Sequence, residues 1–274
     1  MRAELYLLGL PPKLLHRLLM THVFSLADLL LCPNLAQVLH LPEEEVLSLL
    51  ARARNLQESP PPLVHYGEER VATGLRELDM LLDGGLVPGG MYEVVGMPGL
   101  EAAGIAVRAA VSLMEKGRKV LFCDMEGNFV RDMVPASLTP LFLYTRLSTH
   151  SQLSRLLTSF DTLLPTPPFL CILDGLSTLM RCLPFTDYSY DRVHKVVETS
   201  LRLQEVANRT GAVMLLTNRY TLTGSGERVA LLGESWSQTL VARVEVERGQ
   251  EGVVLRVRKA VGWEVQGEVV AYSI

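Results

Sequence analysis

Three short apolar segments constrain the fold of this chain more than any other feature. Residues 119–124, 169–174 and 212–218 each carry a run of hydrophobic side chains without polar alternation. A strand of this kind is covered on both faces, as in a parallel sheet flanked by helices. Residues 191–209 repeat apolar side chains at helical spacing between the last two segments. This order of strands and helices predicts an α/β fold with a mostly parallel sheet.

Both ends of the chain follow other patterns. Near the C-terminus, charged residues alternate with valine and leucine over residues 243–247 and 255–258, and two glycines lie between them. This alternation predicts an antiparallel hairpin at one edge of the sheet. Residues 1–55 have leucines at helical spacing instead. They predict short helices at 13–20 and 26–31, the second capped by Ser25, and a third helix that opens at Leu41-Pro42-Glu43.

A proline triplet follows this helical region, where Ser59 precedes Pro60, Pro61 and Pro62. Consecutive prolines favour a stiff, extended linker. We therefore predict an all-helical N-terminal domain at residues 1–55, a linker at 56–70 and the α/β domain at 71–274.

Composition excludes several classes of protein. The net charge of −4 excludes a broadly basic protein that coats polyanions, so contact with nucleic acid would need a local basic patch. With 48% hydrophobic residues the chain is not wholly disordered. Prolines or Asp174 interrupt the longest apolar stretches, which predicts no membrane-spanning segment. The 4 cysteines lack the spacing of metal ligands and indicate reduced thiols in an intracellular protein.

A phosphate-binding loop belongs between the predicted strand at 91–95 and the predicted helix at about 100–116. A working loop reads G-x-x-x-x-G-K-[ST], in which the lysine neutralises phosphate oxygens and the hydroxyl holds magnesium. Here the segment runs from Gly96 through Gly99 to Ala103. Gly96 matches the first glycine. Glu101, Ala102 and Ala103 stand at the second glycine, the lysine and the hydroxyl residue.

The substitution at Glu101 is unfavourable for a phosphate. A carboxylate about 4 Å from a phosphate charge costs on the order of 4 kcal/mol at an effective dielectric near 20. The helix N-terminus offers only a weak anion site. The spacing leaves two interpretations open: an ordinary strand-to-helix turn, or a degenerate nucleotide loop.

Five further motifs resemble the RecA family of recombinases. Residues 73–90 are similar to the segment that leads into the family's nucleotide loop. The family's D-x-E-G-x-F segment is matched by Asp124-Met125-Glu126-Gly127-Asn128-Phe129. Cys171-Ile172-Leu173-Asp174-Gly175 resembles the Walker B strand. Residues 215–219 resemble the family's L-T-N-Q motif, with Arg219 in place of the glutamine. Residues 232–236 resemble the segment that closes the family's second DNA loop. The helical N-terminal domain also resembles the family's, and the eukaryotic paralogue lettered C is the nearest match.

The resemblance implies a RecA-like ATPase core and roles for individual residues. The glutamate that matches Glu126 orients the attacking water in active members, and the aspartate that matches Asp174 supports magnesium. Both are vestigial candidates here, and the simpler interpretation is acidic residues tolerated at strand ends. Arg219 replaces a glutamine that senses the γ-phosphate. It is expected either in a surface ion pair or, less simply, near a partner's phosphate.

DNA contact is the other activity that the resemblance implies, with Arg181, Arg219 and Arg228 as candidates. Arg228 lies in the predicted loop at 220–232 beside Glu227, and Arg181 in the predicted loop at 177–191. Proteins that bind single strands combine a positively charged groove with aromatic side chains, and these two predicted loops carry few positive charges. We interpret the aromatic residues of the second loop, Phe185, Tyr188 and Tyr190, as packing or interface residues rather than residues that stack on bases. The basic stripe Arg256/Arg258/Lys259 is expected to be solvated, with DNA contact as the alternative.

The linker has two interpretations. In filament-forming members it carries an aromatic-x-x-Ala motif that adds to a neighbour's sheet, which Leu63-Val64-His65-Tyr66 matches poorly. Strand addition to a partner and an unattached linker are both open.

Together these features predict a non-catalytic recombinase paralogue in the nucleus. It would assemble with other paralogues and promote or stabilise recombinase filaments on single-stranded DNA during homologous recombination. No cofactor or metal is expected in its own site, and a partner subunit would hold ATP and Mg²⁺. The alternatives are a DNA-dependent ATPase with an atypical loop, or an ATP-independent DNA-binding module.

Overall fold

The computed structural model describes most of the chain. The described residues are 5, 8, 10–21, 23, 26–58, 70–97, 101–164, 166, 168–183, 190–222, 224, 226, 228–237, 239–249, 252–260 and 267–271. The chain divides into two compact units. One comprises Met1–His65 and Phe185–Leu201, and the other comprises Tyr66–Pro184 and Arg202–Ile274. Across the described residues, no helix is long and apolar enough to cross a membrane.

The described part of the first unit includes four helices near the N-terminus. They are α1 (Pro12–Met20), α2 (Leu26–Leu31), α3 (Leu35–Leu39) and α4 (Glu43–Glu58). Leucines from these helices form its core, and Leu18, Leu29 and Leu39 are fully buried. The predicted helices correspond to α1, α2 and α4. Helix α3 was not predicted because it is only one turn long and lies between Asn34 and His40, both in left-handed conformation.

The second unit is built on a sheet with helices between many of its strands. Its elements, in chain order, are α5 (Arg76–Leu81), β1 (Met91–Gly96), α6 (Glu101–Glu115), β2 (Val120–Asp124), β3 (Phe142–Arg146), α7 (His150–Thr158), α8 (Phe160–Leu163), β4 (Leu170–Asp174), α9 (Leu176–Arg181), α10 (Tyr190–Thr210), β5 (Val213–Leu222), β6 (Arg228–Ala230), α11 (Gly233–Ser237), β7 (Ala242–Arg248), β8 (Val253–Ala260) and β9 (Gly267–Ala271). Helix α10 continues from the first unit into the second. Two 3₁₀ turns, Arg131–Met133 and Ala136–Leu141, lead into β3.

The described strands lie in the order β3-β2-β4-β5-β1-β7-β8-β9, and β6 pairs with β5. Neighbours from β3 to β7 are parallel, whereas β7, β8 and β9 pair antiparallel. Every residue of β1, β2 and β4 is buried, as continuous apolar strands predict. The α/β class, the mostly parallel sheet and the C-terminal hairpin are confirmed.

Two predicted loops are partly regular structure. Strand β5 continues to Leu222 and pairs with β6, so that Tyr220 lies opposite Ala230 and Leu222 opposite Arg228. Residues 220–222 and 228–230 therefore form a β-ribbon, and Tyr, Thr and Val among them favour strands. The predicted loop at 177–191 begins with α9 and ends in α10. Ser25, residues 63–66, Phe185, Tyr188, Glu227 and the side chains of Tyr190, Arg258 and Lys259 lie outside the described part.

Candidate nucleotide site

The carboxyl ends of the parallel strands β1, β2, β4 and β5 meet at one edge of the sheet, where open α/β sheets bind ligands. A narrow cleft opens there, and residues at or just after the ends of β1, β2 and β4 line it together with residues within β5 and the start of α6. Its lining residues are Met97, Ala102, Ala103, Glu126, Asn128, Asp174, Gly175, Thr217, Asn218 and Arg219.

Asp124, the last residue of β2, fixes the turn that presents Glu126. Its Oδ1 accepts hydrogen bonds from the backbone N–H of Glu126 at 3.0 Å and from that of Gly127. The Tyr144 hydroxyl donates to Asp124 Oδ2 at 3.0 Å. Gly127 adopts a φ of 80°, which favours glycine. Because both oxygens of Asp124 are engaged, this carboxylate holds the turn.

The Glu126 carboxylate lies inside the cleft and is surrounded by donors. The Thr178 hydroxyl donates to Oε1 at 2.6 Å, and Asn128 Nδ2 donates to Oε2 at 3.0 Å. Arg219 forms an ion pair with the same Oε2. The Glu126 side chain is 10% exposed and that of Arg219 is 34% exposed. The expected ion pair of Arg219 is thus present, although its acidic partner is nearly buried and comes from the cleft itself.

A buried polar network fixes the position of the Arg219 backbone. Asn218 Oδ1 accepts from the Arg219 backbone N–H at 2.8 Å, and Asn218 Nδ2 donates to Glu93 Oε1 at 2.8 Å. Glu93 is fully buried in β1 and pairs with Arg243 of β7. Burial raises the pKa of Glu93, while Arg243 and the Asn218 hydrogen bond oppose the rise.

Asp174 ends β4 and faces its neighbour β5. The Thr217 hydroxyl donates to Asp174 Oδ1 at 2.6 Å and accepts from the Gly175 backbone N–H at 2.8 Å. Burial raises the pKa of the Asp174 carboxyl, and the negative charge of Glu126 adds to that rise. The Thr217 hydrogen bond opposes it. The charged form of the Asp174 carboxyl is therefore unfavourable, because the group is largely buried and lies close to other acidic side chains.

The cleft is a poor fit for magnesium triphosphate. Its free volume is about 20 Å³, room for about one water molecule. Ala102 and Ala103 contribute methyl groups where a phosphate site needs a cation and a hydroxyl. The cation in the described lining, Arg219, already neutralises Glu126. No group of three or more His, Cys, Asp or Glu side chains in the described part of the chain is arranged to hold a metal ion.

The structure brings together five of the residues singled out in the sequence. Ala102, Ala103, Glu126, Asp174 and Arg219 all line the cleft. Gly96 ends β1, and Glu101 begins α6. Gly99 and the side chain of Glu101 lie outside the described part.

The other DNA-binding candidates lie outside the cleft lining. Arg228 forms an ion pair with Glu247, which also accepts from Arg256 Nη1 at 2.7 Å. Two of the cations considered for DNA contact therefore share one carboxylate. Arg181 is exposed at the end of α9.

Sequence reasoning missed the polar residues that hold Glu126, Arg219 and Asp174, namely Glu93, Asn128, Thr178, Thr217 and Asn218. One signal was available for Glu93, because a lone acid within an apolar strand needs a buried partner. The hydroxyls of Thr178 and Thr217 gave no signal in the sequence, since their role depends on which strands become neighbours.

Fold and site together define an α/β protein with a RecA-like core. No protein-family model matches the chain. It is similar to the DNA repair and recombination protein RadB of Methanoculleus marisnigri, with 24% identity over 201 residues that cover 69% of this chain and 88% of the relative. The DNA repair protein RadA of Campylobacter jejuni is 33% identical over 92 residues, 32% of this chain and 21% of that protein.

A second RadB, from Thermoplasma acidophilum, is 39% identical over 64 residues, which cover 23% of this chain and 28% of that protein. These similarities support the expected relationship to RecA-family recombinases. The eukaryotic assignment, the paralogue lettered C and the degenerate character of the loop stay predictions.

Proposed function

We propose that this chain is a non-catalytic recombinase paralogue that works in DNA repair by homologous recombination. In this proposal it assembles in the nucleus with other paralogues and promotes or stabilises recombinase filaments on single-stranded DNA. Its similarity to DNA repair and recombination proteins supports a role in homologous recombination. The chemistry of the cleft supports the non-catalytic role.

The observation that carries the proposal is the ion pair between Arg219 and Glu126 in a cleft with room for one water. A triphosphate would have to displace Arg219 from Glu126. Leaving the nearly buried Glu126 carboxylate without its cation costs about 1–3 kcal/mol, and no lysine at position 102 compensates. Glu101 adds a further negative charge at the start of α6. The chain's own residues therefore act as a structural substitute for nucleotide and hold the ends of β2, β4 and β5 together.

ATP and Mg²⁺ belong, in this account, to a partner subunit. The chain contributes a surface against the partner's intact site, and the partner hydrolyses the nucleotide. This division of labour makes the complex an ATPase while this subunit remains structural.

A DNA-dependent ATPase is the second candidate, and one observation favours it. Glu126 and Asp174 both line the cleft, as a water-orienting glutamate and a magnesium-supporting aspartate would. Against it stand Ala102 and Ala103, which provide neither phosphate neutralisation nor a magnesium ligand.

Reconstitution with candidate paralogues separates the two functions. The complex is purified, its mass gives the subunit stoichiometry, and bound nucleotide is counted per complex. The proposal predicts one nucleotide fewer than the number of subunits. It also predicts ATP hydrolysis that disappears when the partner's loop lysine is replaced. Turnover by the isolated chain with single-stranded DNA would establish the ATPase instead.

A further inference from the structure

A second and much larger pocket lies outside the nucleotide cleft. It has a volume of about 390 Å³ and is lined by Phe129, Arg131, Val134, Thr139, Phe142 and Tyr144. Pockets that take small organic groups measure about 300–1,000 Å³ and combine apolar walls with a few polar groups. This pocket has that size and that composition.

Aromatic rings form its walls. The Phe129 ring lies 5.3 Å from that of Phe142 and 5.2 Å from that of Tyr144, centroid to centroid. Phe122 supports Phe129 from the core at 4.9 Å. Tyr144 nevertheless remains 47% exposed. The rings are thus held in place by packing while part of their surface faces solvent.

Positive charge accompanies these rings. Arg131 lines the pocket, and no described residue forms an ion pair with it. Phe142, Tyr144 and Arg146 alternate along β3 and so project from one face of that strand. Arg146 is 47% exposed and lies 3.6 Å from Asp124, whose other oxygen is engaged by backbone N–H groups. Strand β3 is the outermost strand at its end of the described sheet.

We infer that this pocket binds one nucleotide unit of single-stranded DNA, with the base against the rings and a phosphate on Arg131. Base stacking on aromatic side chains combined with cationic contact to the backbone is how single strands are held without sequence preference. An apolar side chain from a protein partner would pack against the rings but would give the Arg131 guanidinium no anionic partner. The choice of a DNA strand rests on the proposed function, whereas none of the described residues that line the pocket lines the nucleotide cleft.

Fluorescence anisotropy with labelled oligothymidylate and the full chain tests the inference. Tyr144→Ala removes a stacking ring and should weaken binding at least about fivefold. Tyr144→Phe keeps the ring, loses only the hydroxyl that contacts Asp124, and should bind like the wild type. Arg131→Gln should weaken binding and lower the slope of log affinity against log salt by about one. Arg155→Gln removes an exposed arginine of α7 and serves as the control for charge.

Three further arms identify the ligand. An abasic oligonucleotide of equal length should bind more weakly than oligothymidylate. If the natural ligand is a DNA strand and not a free nucleotide, thymidine monophosphate should compete only at far higher concentration. An oligonucleotide containing 5-iodouracil should cross-link to the peptides that carry Phe129 or Tyr144. The inference is overturned if the wild type does not bind the strand, if Tyr144→Ala and Tyr144→Phe bind equally, or if the variants impair only association with a protein partner. These results leave the question of ATP binding untouched, so the two proposals can fail separately.

Discussion

Arg219 of β5 and Glu126, which follows β2, form an ion pair in the cleft although 93 positions separate them in the chain. Strand β4 lies between β2 and β5 in the sheet, so the pair bridges over the end of a whole strand. Asp124 fixes the turn before Glu126, and Asn218 fixes the backbone of Arg219. The backbone at both residues is therefore fixed by contacts other than the ion pair itself. This limits the conformational entropy that is lost when the ion pair forms.

A double-mutant cycle measures this pair. Arg219→Ala leaves a nearly buried carboxylate without its cation and should reduce the free energy of unfolding by about 1–3 kcal/mol. Glu126→Gln retains an acceptor for Thr178, and the double variant should recover part of the loss. Denaturant unfolding of the four proteins gives the coupling energy.

Arg228→Ala is the matched control for that cycle, because Arg228 pairs with Glu247 at the surface and is 48% exposed. Exposed pairs contribute only about 0–1 kcal/mol. A loss at Arg219 no larger than the loss at Arg228 would show that the cleft pair is not a structural element.

Gly175 has no room for a side chain. Its φ is 81°, and a β-carbon there would clash with Glu126. Gly175→Ala should therefore cost more than about 2 kcal/mol, since it combines a strained backbone with displacement of Glu126. Gly117→Ala, at a φ of 76° with nothing within 4 Å, carries the backbone strain alone and should cost about 1 kcal/mol. Thermal unfolding compares the two, and equal losses would contradict the contact with Glu126.

Asp174→Asn should stabilise the protein at neutral pH. The pKa of Asp174 is raised by burial and by neighbouring acids, so the unfolded state loses this proton at a lower pH than the folded state. Between those two pKa values stability falls as pH rises, because the folded state binds more protons. Asparagine keeps an acceptor for the Thr217 hydroxyl and removes this penalty.

The measurement for Asp174→Asn is the melting temperature of both proteins from pH 4 to pH 8. The advantage of the variant should be smallest near pH 4, grow as pH rises above the ordinary pKa of an aspartate carboxyl, about 3.9, and then level off. An advantage that does not change with pH would contradict the raised pKa.

The sequence predicted the sheet better than the cleft. Continuous apolar strands such as 169–174 identify a parallel sheet without knowledge of their neighbours, and the alternation at 243–258 identifies the hairpin. The partner of Arg219 depends on strand order and register, which sequence spacing does not encode. The aromatic pocket depends on the 3₁₀ turns between Phe129 and Phe142, which have no periodicity to read. Helical and strand patterns therefore predicted the scaffold, while side-chain contacts across it required the structure.

The proposed function requires that this chain's own cleft does not hold ATP. Isothermal titration of the isolated protein with ATP and Mg²⁺ tests it directly. As a positive comparison, a restored variant carries Glu101→Gly, Ala102→Lys, Ala103→Thr and Arg219→Gln. The wild type should give no binding heat, and the restored variant should bind ATP measurably. Micromolar binding of ATP by the wild type would contradict the proposed function.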